Sequence, residues 1–266
     1  MSVFSSSIPA SAIVARLRAA GCVFAEDEAE LLVSAAPDPD ALAAMVERRV
    51  AGEPLEHVLG WARFCGLRVA VEPGVFVPRP RTEFLIQEAV ALARAVAGTP
   101  VILDMCCGTG AMGAAVAAGP ARAELHAADL DPVAVRCARR NLTGAHVYEG
   151  DLYEPLPATL RGRVDLLIAS PPYVPSESVG LLPPEARLHE PLLALDGGTD
   201  GLDVVRRVIA GASGWLAPGG HLLVETSERQ AAETADAVRA AGLSARVATS
   251  DELDATAVIG ALPDPR

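Results

Sequence analysis

The sequence has no lysine and a single asparagine, Asn141; its 22 basic side chains are all arginine. The skew reads as a genome-wide composition bias and carries no function by itself. Against 34 acidic residues it leaves a formal charge of −12. That sign argues against tight sequence-independent binding to nucleic acid, which needs clustered cations on phosphates. No apolar run approaches the ~18 residues of a membrane span. Residues 1–18 show no basic start followed by a long apolar stretch, so no secretory leader is expected. Cysteine is scarce and odd in number: Cys22, Cys65, Cys106, Cys107 and Cys137, without framework spacing. A disulfide scaffold is thereby excluded and a reducing, cytoplasmic setting expected. The adjacent Cys106 and Cys107 lack the two-residue spacer of a zinc knuckle or redox motif. No His/Cys cluster matches them, so no metal is expected.

What is present suffices for a folded enzyme. Apolar residues make up 51% of 266, too many for a disordered chain. A chain of this length buries a real core without disulfides or structural metal and allows about two domains. Apolar spacing of three and four predicts short helices over 11–20, 26–36 and 40–51, with 54–59 a last turn. Phe64, Leu67, Val69 and Val71 around Cys65-Gly66 predict a β-hairpin. A proline-rich loop over 73–80 leads to a helix over 82–97. Beyond Pro100, strand and helix alternate. Strands are expected at 101–105, 124–129, 145–150, 164–170 and 221–226, and helices at 111–118, 132–141, 204–215 and 229–241. Two strand-like runs, 246–249 and 257–262, end the chain. Alternation of this kind predicts a parallel sheet with helices on both faces.

Two constellations carry chemistry. The first is Asp104-Met105-Cys106-Cys107-Gly108-Thr109-Gly110, between a buried strand and a helix. Ligands of such sheets bind beyond the carboxyl ends of the strands, and glycines there let backbone approach a ligand closely. Asp129 follows about twenty residues on, at the end of the second strand, where a carboxylate can accept both ribose hydroxyls. The pattern calls for an adenosine-type cofactor and does not choose between NAD and S-adenosylmethionine. The second constellation chooses. Ser170-Pro171-Pro172-Tyr173 ends the strand 164–170. Consecutive prolines fix φ and donate no N–H, so they stiffen a loop that presents acceptors. A planar amide or amino nitrogen is a poor nucleophile because its lone pair is delocalised. Two acceptors aimed at its hydrogens, one from Ser170 and one from the Pro171 carbonyl, would draw it toward tetrahedral geometry as a methyl arrives. Tyr173 can stack on a flat acceptor group.

Further strings specify a family: Gly52–Leu55, Phe64–Leu67, Pro73–Glu83, Gly150–Leu156, Glu190-Pro191, Ala194–Gly198 with Gly201-Leu202, Pro218–Gly220, Glu225 and Gln230. With the two constellations they resemble the HemK/PrmC protein-(glutamine-N5) methyltransferases over residues 26–262. The resemblance implies an α/β fold: a class I Rossmann-like methyltransferase sheet with a small N-terminal helical domain. The expected boundaries are 1–60 for the helical, substrate-recognition domain, 61–80 for the linking hairpin and loop, and 81–266 for the methyltransferase domain. It implies S-adenosyl-L-methionine as methyl donor and, as partner, a protein carrying an acceptor Gln, in the family the Gly-Gly-Gln glutamine of a peptide chain release factor. Carried over position by position, Ser170, Pro171, Pro172 and Tyr173 are the catalytic residues. Asp104, Cys106, Cys107, Gly108, Thr109, Gly110, Asp129, Asp151, Leu152 and Ser170 bind the cofactor, with Asp151 and Leu152 near the adenine. Membrane attachment is not expected, and nucleic acid is disfavoured as a partner.

Two positions depart from the family. Its acceptor-binding Asn is Ser170 here, a shorter and weaker acceptor; one neutral hydrogen bond is worth ~0.5–1.5 kcal/mol. Its first loop glycine is Cys106, which costs roughly 1–2 kcal/mol if φ is positive there and nothing if negative. Arg79 and Arg81 meet a carboxylate or the substrate, or are solvated loop residues. His189 is read as a loop residue and Trp61 and Trp215 as packing. The Pro-Pro-Tyr chemistry also suits amino-methylation of a nucleobase, cytosine N4 or adenine N6, which the charge disfavours. The glycine pattern alone suits an NAD oxidoreductase, for which no hydride-chemistry residues stand out.

Overall fold

The computed structural model describes residues 9–264. The leader reading over residues 1–18 therefore falls partly outside the described residues. Four helices come first: α1 (Ala10–Ala19), α2 (Ala25–Ala35), α3 (Pro39–Val50) and α4 (Leu55–Leu59). Asp38 caps α3, its carboxylate accepting the Ala41 N–H at 2.8 Å, and Pro39 takes the first turn, where its missing N–H is harmless. Ile13, Leu17, Leu32, Val46 and Val58 form a core of their own. The buried Arg49 grips Glu28 across that core, at 2.6 and 3.1 Å.

Gly60 ends α4 at φ 77° and feeds the hairpin β1 (Trp61–Phe64) and β2 (Leu67–Ala70). Its two-residue turn, Cys65-Gly66, has both residues at positive φ, the conformation whose twist suits paired strands. Next come α5 (Glu83–Ala95), β3 (Val101–Met105), α6 (Ala111–Ala117), β4 (Glu124–Asp129), α7 (Pro132–Asn141), β5 (His146–Glu149) and β6 (Val164–Ala169). After a long connection containing α8 (Pro184–His189), the chain closes with α9 (Asp203–Ala212), β7 (Leu216–Thr226), α10 (Ala231–Ala240), β8 (Ser244–Ser250) and β9 (Ala255–Ala261).

The sheet has seven strands in the order β5-β4-β3-β6-β7-β9-β8. Apolar packing covers both faces, one centred on Leu103, Leu167 and Leu222 and the other on Ile102, Leu166 and Leu223. This is why β3 is buried along its whole length. The expected all-parallel sheet needs one correction: β9 runs antiparallel to both β7 and β8. No helix separates β8 from β9, only residues 251–254, and so short a connection can join only antiparallel neighbours. A second difference is β7, which starts at Leu216 rather than His221, with a register shift against β6. Strand order reverses between β3 and β6, which opens the crevice at their carboxyl ends where ligands of such sheets lie.

Candidate active site

Two cavities meet in that crevice. The first, about 220 Å³, is walled by Cys106, Cys107, Gly108, Thr109, Asp129, Asp151 and Leu152, among others. Its floor is set by backbone bonds between strand ends. The Cys107 N–H reaches the Ala128 carbonyl at 3.1 Å and the Gly110 N–H the Cys107 carbonyl at 2.7 Å. Asp129 accepts the Gly108 N–H on one oxygen at 2.8 Å and the Asp131 N–H on the other at 2.9 Å. Burial raises the Asp129 carboxyl above its ordinary range, and those two N–H groups oppose the shift.

Cys106 stands at φ 57°, so the replaced glycine matters and the side chain carries roughly 1–2 kcal/mol of strain. Burial beside Asp129 and Asp104 pushes both the Cys106 and Cys107 thiols far up. A thiol held protonated is a weak nucleophile.

Asp104 and Gly110 are absent from the cavity wall; they shape it from behind. Asp104 is fully buried. One of its oxygens takes the Gly113 N–H at 2.8 Å, and the other has no partner. Burial drives this carboxyl well above the ordinary range. A Cβ on Gly113 would lie 3.0 Å from Asp104, and one on Gly110, at φ 77°, would strike Leu142 at 2.7 Å. Asp151 does line the cavity but is held by Arg207 of α9 at 2.6 Å. Arg207, Leu130 and Leu193 are wall residues that sequence reasoning did not single out.

The second cavity, about 330 Å³, shares Phe76, Arg79, Ser170 and Ala194 with the first. Ser170 is thus at the seam. Pro171 and Tyr173 face the second cavity, and Pro172 faces the first. Behind the seam is Glu225, at the end of β7 and only 5% exposed. Its carboxylate accepts from Thr82 Oγ1 at 2.7 Å, Ser170 Oγ at 3.1 Å and the Tyr173 hydroxyl at 3.3 Å. Arg81 lies 3.4 Å from the same carboxylate and donates to the Tyr173 hydroxyl at 2.7 Å. Burial lifts the Tyr173 hydroxyl to about 12, so it stays a donor at neutral pH. Arg79 pairs with the buried Glu190, which also accepts the Val77 N–H at 3.0 Å. That pair ties the Val75–Arg79 strap over the seam.

The Ala194–Leu202 block clamps the loop after Pro-Pro-Tyr. Val174 donates to the Leu195 carbonyl, Gly197 returns a bond to the Val174 carbonyl, and Ser176 donates to the Gly198 carbonyl. Gln230 holds the Tyr173 and Asp200 carbonyls at 3.0 Å each. Glycine is required at 201, where φ is +81° and a Cβ would lie 2.3 Å from the Tyr173 carbonyl oxygen.

Residues 67–181 match the methyltransferase small domain family. In fold, the chain is similar to a methyltransferase of Pyrococcus furiosus. The TM-score is 0.57 at 17% identity, over 83% of this chain and 99% of that one. At that identity the likeness speaks for the fold alone. The 4-amino-L-phenylalanine/4-methylamino-L-phenylalanine methyltransferase of Streptomyces pristinaespiralis is 39% identical over 216 residues, 78% of this chain and 73% of that one. The release factor glutamine methyltransferase of Mycolicibacterium smegmatis is 39% identical over 245 residues, 85% of this chain and 86% of that one. The oxidoreductase reading of the glycine loop ends with these relationships. Identity of that order along most of both sequences makes this chain a methyltransferase of the release factor glutamine methyltransferase family.

Proposed function

We propose that the first cavity binds S-adenosyl-L-methionine and that a nitrogen held in the second receives the methyl. The acceptor we favour is the side-chain amide of a protein glutamine, as on a peptide chain release factor. The observation that carries the reading is Ser170, a residue of both cavities whose hydroxyl proton is committed to Glu225. Its lone pairs are thereby left to accept an N–H from the second cavity.

The residues fit the donor. Gly108 is at φ +54° with no atom within 4 Å of where a Cβ would stand, which leaves backbone open to a ligand. Asp129 keeps lone pairs for a ribose diol beyond its two backbone bonds. Leu130, Leu152 and Ala134 offer apolar faces to a purine. When bound, the cofactor supplies an electrophilic sulfonium methyl. The chain's part is to hold the nitrogen in line, to exclude water and to accept its hydrogens at Ser170 and the Pro171 carbonyl.

The helical cluster supports a protein acceptor. Arg49 also reaches Glu185 of α8 at 3.4 Å, and Glu185 lines the second cavity. A second reading, a free aromatic amino acid with an amino nitrogen, draws on the Streptomyces pristinaespiralis relative. It also draws on the charges of Arg79, Arg81 and Glu185 around that cavity.

The deciding experiment incubates the protein and S-adenosylmethionine with purified, unmethylated release factor, and separately with 4-amino-L-phenylalanine, each followed by mass spectrometry. One methyl on the Gly-Gly-Gln glutamine is expected. Methylation of the small amine alone would move the assignment to the second reading. Ser170→Ala should lower turnover by at least the roughly two- to tenfold value of one neutral hydrogen bond, with cofactor affinity unchanged.

A further inference from the structure

Ser170 does more than stand in for a carboxamide. An Asn side chain can accept an N–H but cannot take up that proton and pass another on. A serine hydroxyl can do both when its own proton already points at a carboxylate. Here Ser170 Oγ lies 3.1 Å from Glu225 Oε2, and among the described residues that hydroxyl has no other hydrogen-bond partner. The two residues span the wall between separate spaces. Ser170 faces the seam where the methyl is transferred. Glu225 faces a third cavity of about 360 Å³, lined by hydroxyl and carboxylate groups that include Thr226, Ser250, Asp251 and Asp254. That third cavity shares no lining residue with the first; Arg81 and Tyr173 line both it and the second cavity and close it toward the acceptor side.

We propose that Ser170 and Glu225 form a proton relay that carries the acceptor nitrogen's proton away as the methyl arrives. The relay rests on the nitrogen-methylation reading above. The N–CH₃ bond forms as the S–CH₃ bond breaks, with its electron pair staying on sulfur, which becomes a neutral thioether. The nitrogen's proton passes to Ser170 Oγ while the Ser170 proton passes to Glu225, whose carboxylate becomes the acid. Glu225 then gives the proton to water in the third cavity, and one proton leaves per methyl transferred. The neighbours of Glu225 suit that cycle. Thr82 and Tyr173 hold the carboxylate in place by donation. Arg81 lies against Glu225, while Glu228, Asp251 and Asp254 face the cavity on the exit side. Glu225 acts through Ser170 and is a positioning and proton-accepting residue rather than a group touching the acceptor.

The test compares the parent, Glu225→Gln, Ser170→Asn and the double variant, all as full-length protein. The acceptor is whichever of the release factor and 4-amino-L-phenylalanine the parent methylates. Calorimetric titration with S-adenosylmethionine serves as the folding control. Glu225→Gln should slow single-turnover transfer at least 30-fold in the parent background, with cofactor affinity within twofold. In the Ser170→Asn background, where no relay exists, the same change should cost less than threefold. The parent's rate should fall at least twofold in D₂O, with a bowed proton inventory, and Ser170→Asn should bring the isotope effect close to one. In the protein without cofactor, Ser170→Ala should shift the infrared carboxylate band that Glu225→Gln removes. Equal slowing by Glu225→Gln in both backgrounds would overturn the relay and leave Glu225 a structural residue. So would an unshifted carboxylate band or an isotope effect near one in the parent. A parent that binds cofactor but methylates neither acceptor overturns the methylation reading itself, and the relay with it. Methylation without the double-variant difference overturns the relay alone.

Discussion

The first cavity draws its polar groups from the ends of neighbouring parallel strands: the loop after β3, Asp129 at the end of β4 and Asp151 after β5. The first two are fixed by backbone bonds to the adjoining strand or turn, and Asp151 by Arg207. The seam and second cavity instead draw on Arg81 and Thr82 before α5, Ser170 and Tyr173 after β6, and Glu225 on β7, whose polar side chains bond to one another. The contrast shows how one sheet separates its tasks. The first cavity is shaped by local backbone turns, the second by side chains far apart in sequence. Substitutions in the first region should therefore act on affinity, and those in the second on turnover.

The strongest challenge to that division is Gly201→Ala. It places a methyl 2.3 Å from the Tyr173 carbonyl oxygen at a positive φ, so a loss of about 3 kcal/mol or more is expected from strain and overpacking together. Urea denaturation measures it. In protein that remains folded, turnover should collapse while cofactor still binds; equal loss of both would merge the two regions.

Asp129→Ala probes the other side. It removes the partner of two backbone N–H groups and the acid read as the ribose acceptor. Cofactor affinity should drop by roughly 30-fold, about 2 kcal/mol, as read by calorimetry.

Asp104 carries the pH signal. Burial holds its carboxyl well above the ordinary range, so the ligand-free fold retains a proton that the unfolded chain releases. In that interval the native state binds more protons, and stability falls as pH rises from the ordinary carboxylate range toward the raised value. Asp104→Asn removes the slope while keeping an oxygen for the Gly113 N–H. Denaturation series at pH 5 through 8 should show the variant gaining steadily on the parent as pH rises. Curves that stay parallel would mean that Asp104 is ionised in the fold.

The smallest effect is Cys106→Gly. Relief of the strained φ of 57°, less the extra freedom glycine gives the unfolded chain, should stabilise the protein by about 0.5–1 kcal/mol. Thermal unfolding in the absence of cofactor measures it. A loss would show that the cysteine side chain packs well enough to offset its strain.

The same division explains how much could be read in advance. The β1–β2 hairpin was legible because Cys65-Gly66 sits between alternating apolar residues, and the strand and helix positions from 101 to 170 because their patterns are local. Asp129 was found by its distance from the glycine loop. The antiparallel β9 was not, since nothing in its own residues differs from a parallel strand; only the missing helix before it tells. Residues 171–202 carry no period, and their fold comes from bonds to Val174, Ser176 and Gln230. Glu225 belonged to a family string, but its partners lie 55 residues away at Ser170 and 143 away at Thr82. No spacing rule reaches that far. Arg207, over Asp151, was hidden for the same reason.

The four N-terminal helices have a core of their own, yet they are not a detachable module. The His57 ring nitrogen bonds the Val75 carbonyl at 2.8 Å, and burial lowers that imidazole's pKa, so at neutral pH it serves as an uncharged donor to the strap. Arg49 divides one guanidinium among Glu28, the Glu53 carbonyl and Glu185. A chain cut after Gly60 would keep its sheet and glycine loop but would leave the Val75 carbonyl and the Glu185 carboxylate without these two partners. Modularity in sequence and independence in mechanics are therefore different properties here: the helices hold Val75 in the wall of the first cavity and Glu185 in the wall of the second.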